Sequence, residues 1–169
     1  MQTENKFDLI VAGAGHSGIE ASLAAAKRGL KVALFTIKIE AIGRMSCNPS
    51  IGGPAKGHLA REIDALGGEI AKSADLSGIH FRMLNRSKGP AVWAPRSQND
   101  RQKYHLLMRD AIEKQENIHL IEAIIAELIV ENGCVKGVIS QIGHCYYAPK
   151  VILATGTFLQ GKIHIGKIS

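Results

Sequence analysis

The first third of the chain alternates apolar runs with helix-periodic stretches. Asp8-Leu9-Ile10-Val11-Ala12 is a short apolar run ending at glycines, the pattern of a buried parallel strand. Ser17 to Arg28 is rich in alanine, carries Glu20 near its start and Lys27-Arg28 at its end, and stops at Gly29, which predicts a helix. Lys31 to Thr36 is a second apolar strand. Strand, glycine turn, helix and strand in this order form a βαβ unit with a right-handed crossover.

Between Ile37 and Lys56 the periodicity stops. Gly43, Asn48-Pro49, Gly52-Gly53 and Pro54 crowd together with Cys47 among them, predicting a long loop of the kind that carries function. Helical spacing resumes over Lys56 to Lys72 with a weak point at Gly67-Gly68, and Ile79 to Leu84 reads as a short strand. Asn85 to Gln98 reads as a second polar loop. The next helix has Ser97 as a candidate cap and Asp100 in its first turn, and spacing places Tyr104, Leu107, Met108, Ala111 and Ile112 on one face. Ile118 to Ile121 is a short strand. Ile125–Glu131 and Cys134–Ser140 flank Asn132-Gly133, the strongest two-residue hairpin signal, and His144 to Ala148 would add a third antiparallel strand. Val151 to Ala154 is again an apolar strand, ending at Thr155-Gly156.

Composition fits this picture. Hydrophobic residues make up 46% of the 169 and charged residues 21%, enough apolar side chain for one core. No apolar stretch approaches the roughly 18 residues of a membrane span. Met1 to Phe7 lacks the apolar segment of a signal peptide, so a cytoplasmic protein is expected. Cys47, Cys134 and Cys145 are too scattered for a disulfide framework or a zinc site, and the histidines are equally dispersed, so no metal is expected. The formal charge of +6 suits a phosphate-bearing partner or cofactor, and equally a lysine-rich solvated surface. At 5% aromatic residues, no stacking platform for bases is visible.

The chemistry concentrates first in Gly13-Ala14-Gly15-His16-Ser17-Gly18, between a predicted strand and a predicted helix. Gly13 permits the sharp turn out of the strand, Gly15 lets a pyrophosphate approach the backbone, and Gly18 permits close packing of helix on strand. The helix amino terminus faces the anion. His16 would then sit over the phosphates. Where such units often carry an acid for the ribose hydroxyls, Thr36 stands, with Glu40 a few residues on.

The later layout resembles the glutathione-reductase-type flavoproteins: a βαβ unit, helices, a three-stranded meander, then an apolar strand ending Ala154-Thr155-Gly156. That resemblance implies an α/β, Rossmann-like FAD-binding domain with an antiparallel β-meander. Gly156 would turn the backbone beside the cofactor and the strand near Ile125 would contact it.

Four segments carry a closer resemblance. They are Met45 to Gly53 followed by Lys56-Gly57-His58-Leu59; Glu62 to Gly68; Leu84 to Trp93 with Arg96 and Gln98; and Gly156 to Gly166. Together they closely resemble the tRNA uridine 5-carboxymethylaminomethyl modification enzymes, the glucose-inhibited division protein A family, from about Phe7 onward. The resemblance implies FAD held by Gly13, Ala14, Gly15, His16, Ser17, Gly18 and Ile125. It also implies NADH as electron donor, methylenetetrahydrofolate as carbon donor, a GTPase partner, a homodimer, and tRNA as substrate, modified at C5 of the wobble uridine.

Family members are several times longer. The resemblance therefore implies that residues 1–169 are the amino-terminal portion of a single FAD-binding domain, incomplete at its carboxy end. Such a chain would bind FAD weakly and would not modify tRNA alone. A non-catalytic FAD-binding fragment and a flavin oxidoreductase acting on a small molecule are the alternatives.

Cys47, in a loop the fold would bring near the flavin, is a candidate thiol nucleophile, although a small buried side chain packing a tight loop is the favoured reading. Arg86, Lys88, Arg96 and Arg101 either present charge toward tRNA or the nucleotide phosphates, or form a solvated basic loop.

Overall fold

A computed structural model describes residues 5–159 and 166. The predicted βαβ unit is present as β1 (Leu9–Ala12), α1 (His16–Ala26) and β2 (Val32–Thr36). Both strands are buried along their whole length, which is why they read as continuous apolar runs rather than alternating ones. With β6 (Ile118–Glu122) and β10 (Val151–Leu153) they form a parallel sheet in the order β10-β1-β2-β6.

Successive residues of this sheet enter two different cores. Leu9, Val11, Val32 and Leu34 face one side, where they pack with Ile19 and Leu23 of α1 and with Tyr104, Met108 and Ile112 of α4 (Arg101–Glu113). Ile10, Ala33 and Phe35 face the other side and meet Val138 and Ala148. Val138 belongs to β8 (Cys134–Ser140), the middle strand of a meander with β7 (Ile125–Glu131) and β9 (Cys145–Tyr147). Helices therefore cover one face and the meander the other, as the α/β flavoprotein layout requires. Each fully buried Leu, Ile or Phe in these layers contributes roughly 1.5–3 kcal/mol.

The middle of the chain forms a smaller layer. α2 (Lys56–Ala65) and α3 (Ile70–Ser77) separate at Gly67, which has φ +85. They pack on a three-stranded antiparallel sheet of β3 (Ser50–Gly52), β5 (Ala94–Asn99) and β4 (Gly78–Leu84), in the order β3-β5-β4. α3 is fastened to the βαβ unit by Glu20, whose carboxylate accepts the amides of Glu69 and Ile70 at 2.8 and 2.7 Å.

Two expectations are corrected here. The stretch 85–98 is not all loop, because its second half is β5. Its residues, Ala-Pro-Arg-Ser-Gln-Asn, show no apolar alternation. The strand is held instead by Asn99, which is buried and donates from Nδ2 to the Ala74 carbonyl (2.6 Å) and to Ser77 Oγ (3.0 Å). Ser97 is not the cap of α4 either, since its hydroxyl donates to Asn99 Oδ1 at 2.9 Å. Asp100 is the cap, its carboxylate accepting the Lys103 amide at 2.9 Å.

Candidate functional site

The carboxyl ends of β1, β2 and β10 open into a cleft of about 420 Å³, within the size range of small-ligand sites. It lies where the sheet order reverses, with β1 flanked by β2 on one side and β10 on the other. Its floor is Gly13, Ala14 and Gly15, and its walls include Thr36, Lys38, Ile125 and Gly156.

Each glycine of the loop is required for a different reason. Gly13 has φ +112, and a Cβ there would lie 2.3 Å from the Ala154 carbonyl oxygen of β10's exit. A Cβ on Gly18 would lie 1.8 Å from the Gly13 carbonyl oxygen. Those two positions are closed by the protein itself. Gly15 is different: its φ is −75, and a Cβ would meet nothing within 4 Å. The space over Gly15 is open toward the cleft, so it is available to a ligand.

Gly15 is also the N-cap of α1. The first helical bond runs from the Ile19 amide to the Gly15 carbonyl at 2.9 Å, so the amides of His16, Ser17 and Gly18 precede the ladder. No side chain caps this end and no acid sits in its first turn. Such an end attracts an anion. The loop is braced from outside by the Gly43 amide, which donates to the Ala14 carbonyl at 3.0 Å.

His16 takes a different place from the one expected. Its ring lies 5.7 Å from that of Tyr104, between α1 and α4, and it is not among the cleft-lining residues. Burial lowers its pKa, and Nε2 has no partner among the described residues. Its contribution at the cleft is backbone, as are those of Ser17 and Gly18. The Tyr104 hydroxyl is buried and likewise unpartnered. Burial, followed by the charges of Glu20 and Glu69, raises its pKa far above the ordinary phenol value.

At the position usually given to an acid, the Thr36 hydroxyl donates to the Lys38 carbonyl at 2.9 Å. Thr36 and Lys38 both line the cleft, whereas Glu40 does not. Apart from Thr36, the sequence reading missed this part of the wall. Lys38 carries no motif, and Phe158 and Leu159, which are 73% and 70% exposed, line the cleft only because β10 ends beside β1.

Cys47 is exposed and lies outside the cleft lining. Its carbonyl accepts from the Arg101 guanidinium at 2.9 Å, and no base is hydrogen-bonded to its thiol among the described residues. Cys134 is exposed and Cys145 half-buried, both on meander strands. Among the described residues, no group of three or more His, Cys, Asp or Glu has metal-holding geometry. No described helix is long and apolar enough to cross a membrane.

The family model for glucose inhibited division protein A matches residues 8–169, nearly the whole chain. The chain belongs to this family. It is 59% identical over 166 residues to the tRNA uridine 5-carboxymethylaminomethyl modification enzyme MnmG of Thermodesulfovibrio yellowstonii, a match covering 98% of this chain and 27% of that protein. The fold superposes on crystalline Aquifex aeolicus GidA with a TM-score of 0.89 at 47% identity, covering 93% of this chain and 26% of the other. A more distant likeness, with a TM-score of 0.62 at 15% identity, is to PqsL of Pseudomonas aeruginosa, described as a probable FAD-dependent monooxygenase; it speaks to fold alone. The chain spans about a quarter of the length of the curated relatives it matches.

Proposed function

We propose that this chain is part of the FAD-binding domain of a tRNA-modifying flavoenzyme acting at C5 of the wobble uridine. The observation that carries the cofactor reading is the open space over Gly15 in front of an uncapped helix amino terminus. A pyrophosphate is the dianionic, extended group such a floor suits. The backbone at Gly13, Ala14, Gly15, His16, Ser17 and Gly18 would hold it. Thr36, Lys38 and Ile125 would flank one end of the dinucleotide, and Gly156 would line the wall beside β10.

When bound, FAD supplies two-electron redox chemistry. The residues of this chain would position it: Gly13 and Gly18 permit the tight loop, Gly43 holds the loop from behind, and Ile37, Ile124, Phe158 and Leu159 give the cleft apolar walls. The tRNA reading rests on membership of the family and on the name its relative from Thermodesulfovibrio yellowstonii bears. It brings NADH, methylenetetrahydrofolate, a GTPase partner, a homodimer and a cytoplasmic location with it. Cys47 is the candidate thiol of this reading.

The test is a chimera in which residues 8–169 replace the matching part of the Thermodesulfovibrio enzyme, assayed by mass spectrometry of tRNA nucleosides. The expected result is a modified wobble uridine, lost when Gly15→Val is introduced. A folded, flavin-loaded chimera that leaves tRNA unmodified would contradict the proposal.

A further inference from the structure

Antiparallel β4 and β5 place Arg82 directly opposite Arg96. Residues directly opposite share a face, and like charges so placed destabilise a sheet. Among the described residues, no carboxylate lies within ion-pairing distance of either. Arg96 is half-buried and its guanidinium donates to Ser50 Oγ at 3.1 Å, which aims it along the sheet surface. The Ser97–Asn99 pair bonds to Ala74 of α3, and Arg82 and Arg96 border a cavity whose other walls include Asp64 and Asp75 of α2 and α3, neither of them ion-paired to an arginine among the described residues. A fold that keeps two unneutralised arginines side by side has a place ready for an external anion.

The loop joining the two strands adds further positive charge. It carries Arg86 and Lys88, both exposed and without an ion-pair partner among the described residues. Trp93, the chain's single tryptophan, is 42% exposed beside them. Its indole N–H donates to the Lys88 carbonyl at 3.2 Å, and the Asn85 side-chain amide donates to the Val92 carbonyl at 3.3 Å. These bonds fix the loop internally, so the ring is held at the surface without being buried. A single exposed indole in a basic loop can stack on one base.

We propose that the β4–β5 hairpin is an RNA-docking surface, in which Arg82 and Arg96 grip a backbone phosphate and Trp93 stacks on a base. The inference deepens the tRNA reading and rests on it for the identity of the RNA. Paired guanidinium forks suit phosphate oxygens better than a single carboxylate, and a neighbouring aromatic ring suits a nucleobase.

The experiment titrates the full chain with a short RNA stem-loop, following Trp93 fluorescence at low salt and labelled-RNA anisotropy across a salt series. Saturable quenching is expected. Arg82→Ala and Arg96→Ala should each weaken binding about tenfold and lower the salt slope by about 1, and Trp93→Leu should weaken it by a similar factor. The melting temperature of either arginine variant should hold or rise, since removing one of two opposed like charges relieves repulsion. Absence of RNA binding by the chain would overturn the proposal. So would an Arg82→Ala/Arg96→Ala double variant that melts normally and binds RNA with unchanged affinity and slope. FAD titration of the same variants and tRNA modification by the chimera are independent readouts. An inactive chimera with intact RNA binding would count against the modification reading alone.

Discussion

Gly15 shows how a single position separates folding from binding. Gly13 and Gly18 would clash with the protein's own backbone if they carried a Cβ, while Gly15 would meet nothing. Gly18→Ala is therefore expected to destabilise the chain by several kcal/mol, on the order of the largest single-residue effects, with a melting curve as the check. His16 makes a second prediction. Its pKa is lowered in the folded state by burial, so the neutral ring is the one the fold accepts. Stability contributed by that preference is complete above the unfolded value of about 6.5 and is lost as pH falls through the lowered folded value. Melting temperature should drop as pH falls from about 6.5 toward the lowered folded value, and His16→Gln should flatten part of the drop. Tyr104 carries a buried hydroxyl without a described partner, and an unsatisfied buried hydroxyl costs about 1–3 kcal/mol. Tyr104→Phe should be neutral or stabilising; a clear loss in Tm would show that the hydroxyl is paired.

Elements differ in how far their own residues account for them. The β7–β8 hairpin was legible because its turn is local chemistry: Asn132 and Gly133 adopt φ +51 and +75, which few other residue pairs tolerate. β1 and β2 were legible because burial on both faces writes itself as unbroken apolar runs. β5 was not, since its six residues hold a strand only through partners elsewhere in the chain. Asn99 is the key to that element. Asn99→Ala should cost on the order of 2–3 kcal/mol by removing the three bonds that Asn99 makes with Ser97, Ser77 and the Ala74 carbonyl in a buried site. Hydrogen exchange should then speed up in β5 and α3 while β1 and β2 stay protected; uniform acceleration would mean the smaller layer is not a separate unit. The candidate site divides in the same way. The glycine loop and Gly156 follow from residue type and flanking strands, whereas Lys38, Phe158 and Leu159 reach the cleft only through sheet order.

At the scale of the whole molecule, the chain holds the crossing point of a parallel α/β sheet and about a quarter of its relatives' length. The cleft walls at Phe158 and Leu159 are largely exposed apolar side chains, so contacts beyond these residues would strengthen any ligand held there. The chain alone is expected to bind FAD weakly and to leave tRNA unmodified. The central claim is that the cleft above Gly15 receives the pyrophosphate of FAD. The direct measurement is a flavin-fluorescence titration of the chain beside Gly15→Val, with thermal melts of both. The account predicts saturable binding on the order of micromolar for the native chain, no binding by the variant, and matching melts. Equal FAD affinity in the two proteins, or no binding by a folded native chain, would contradict it.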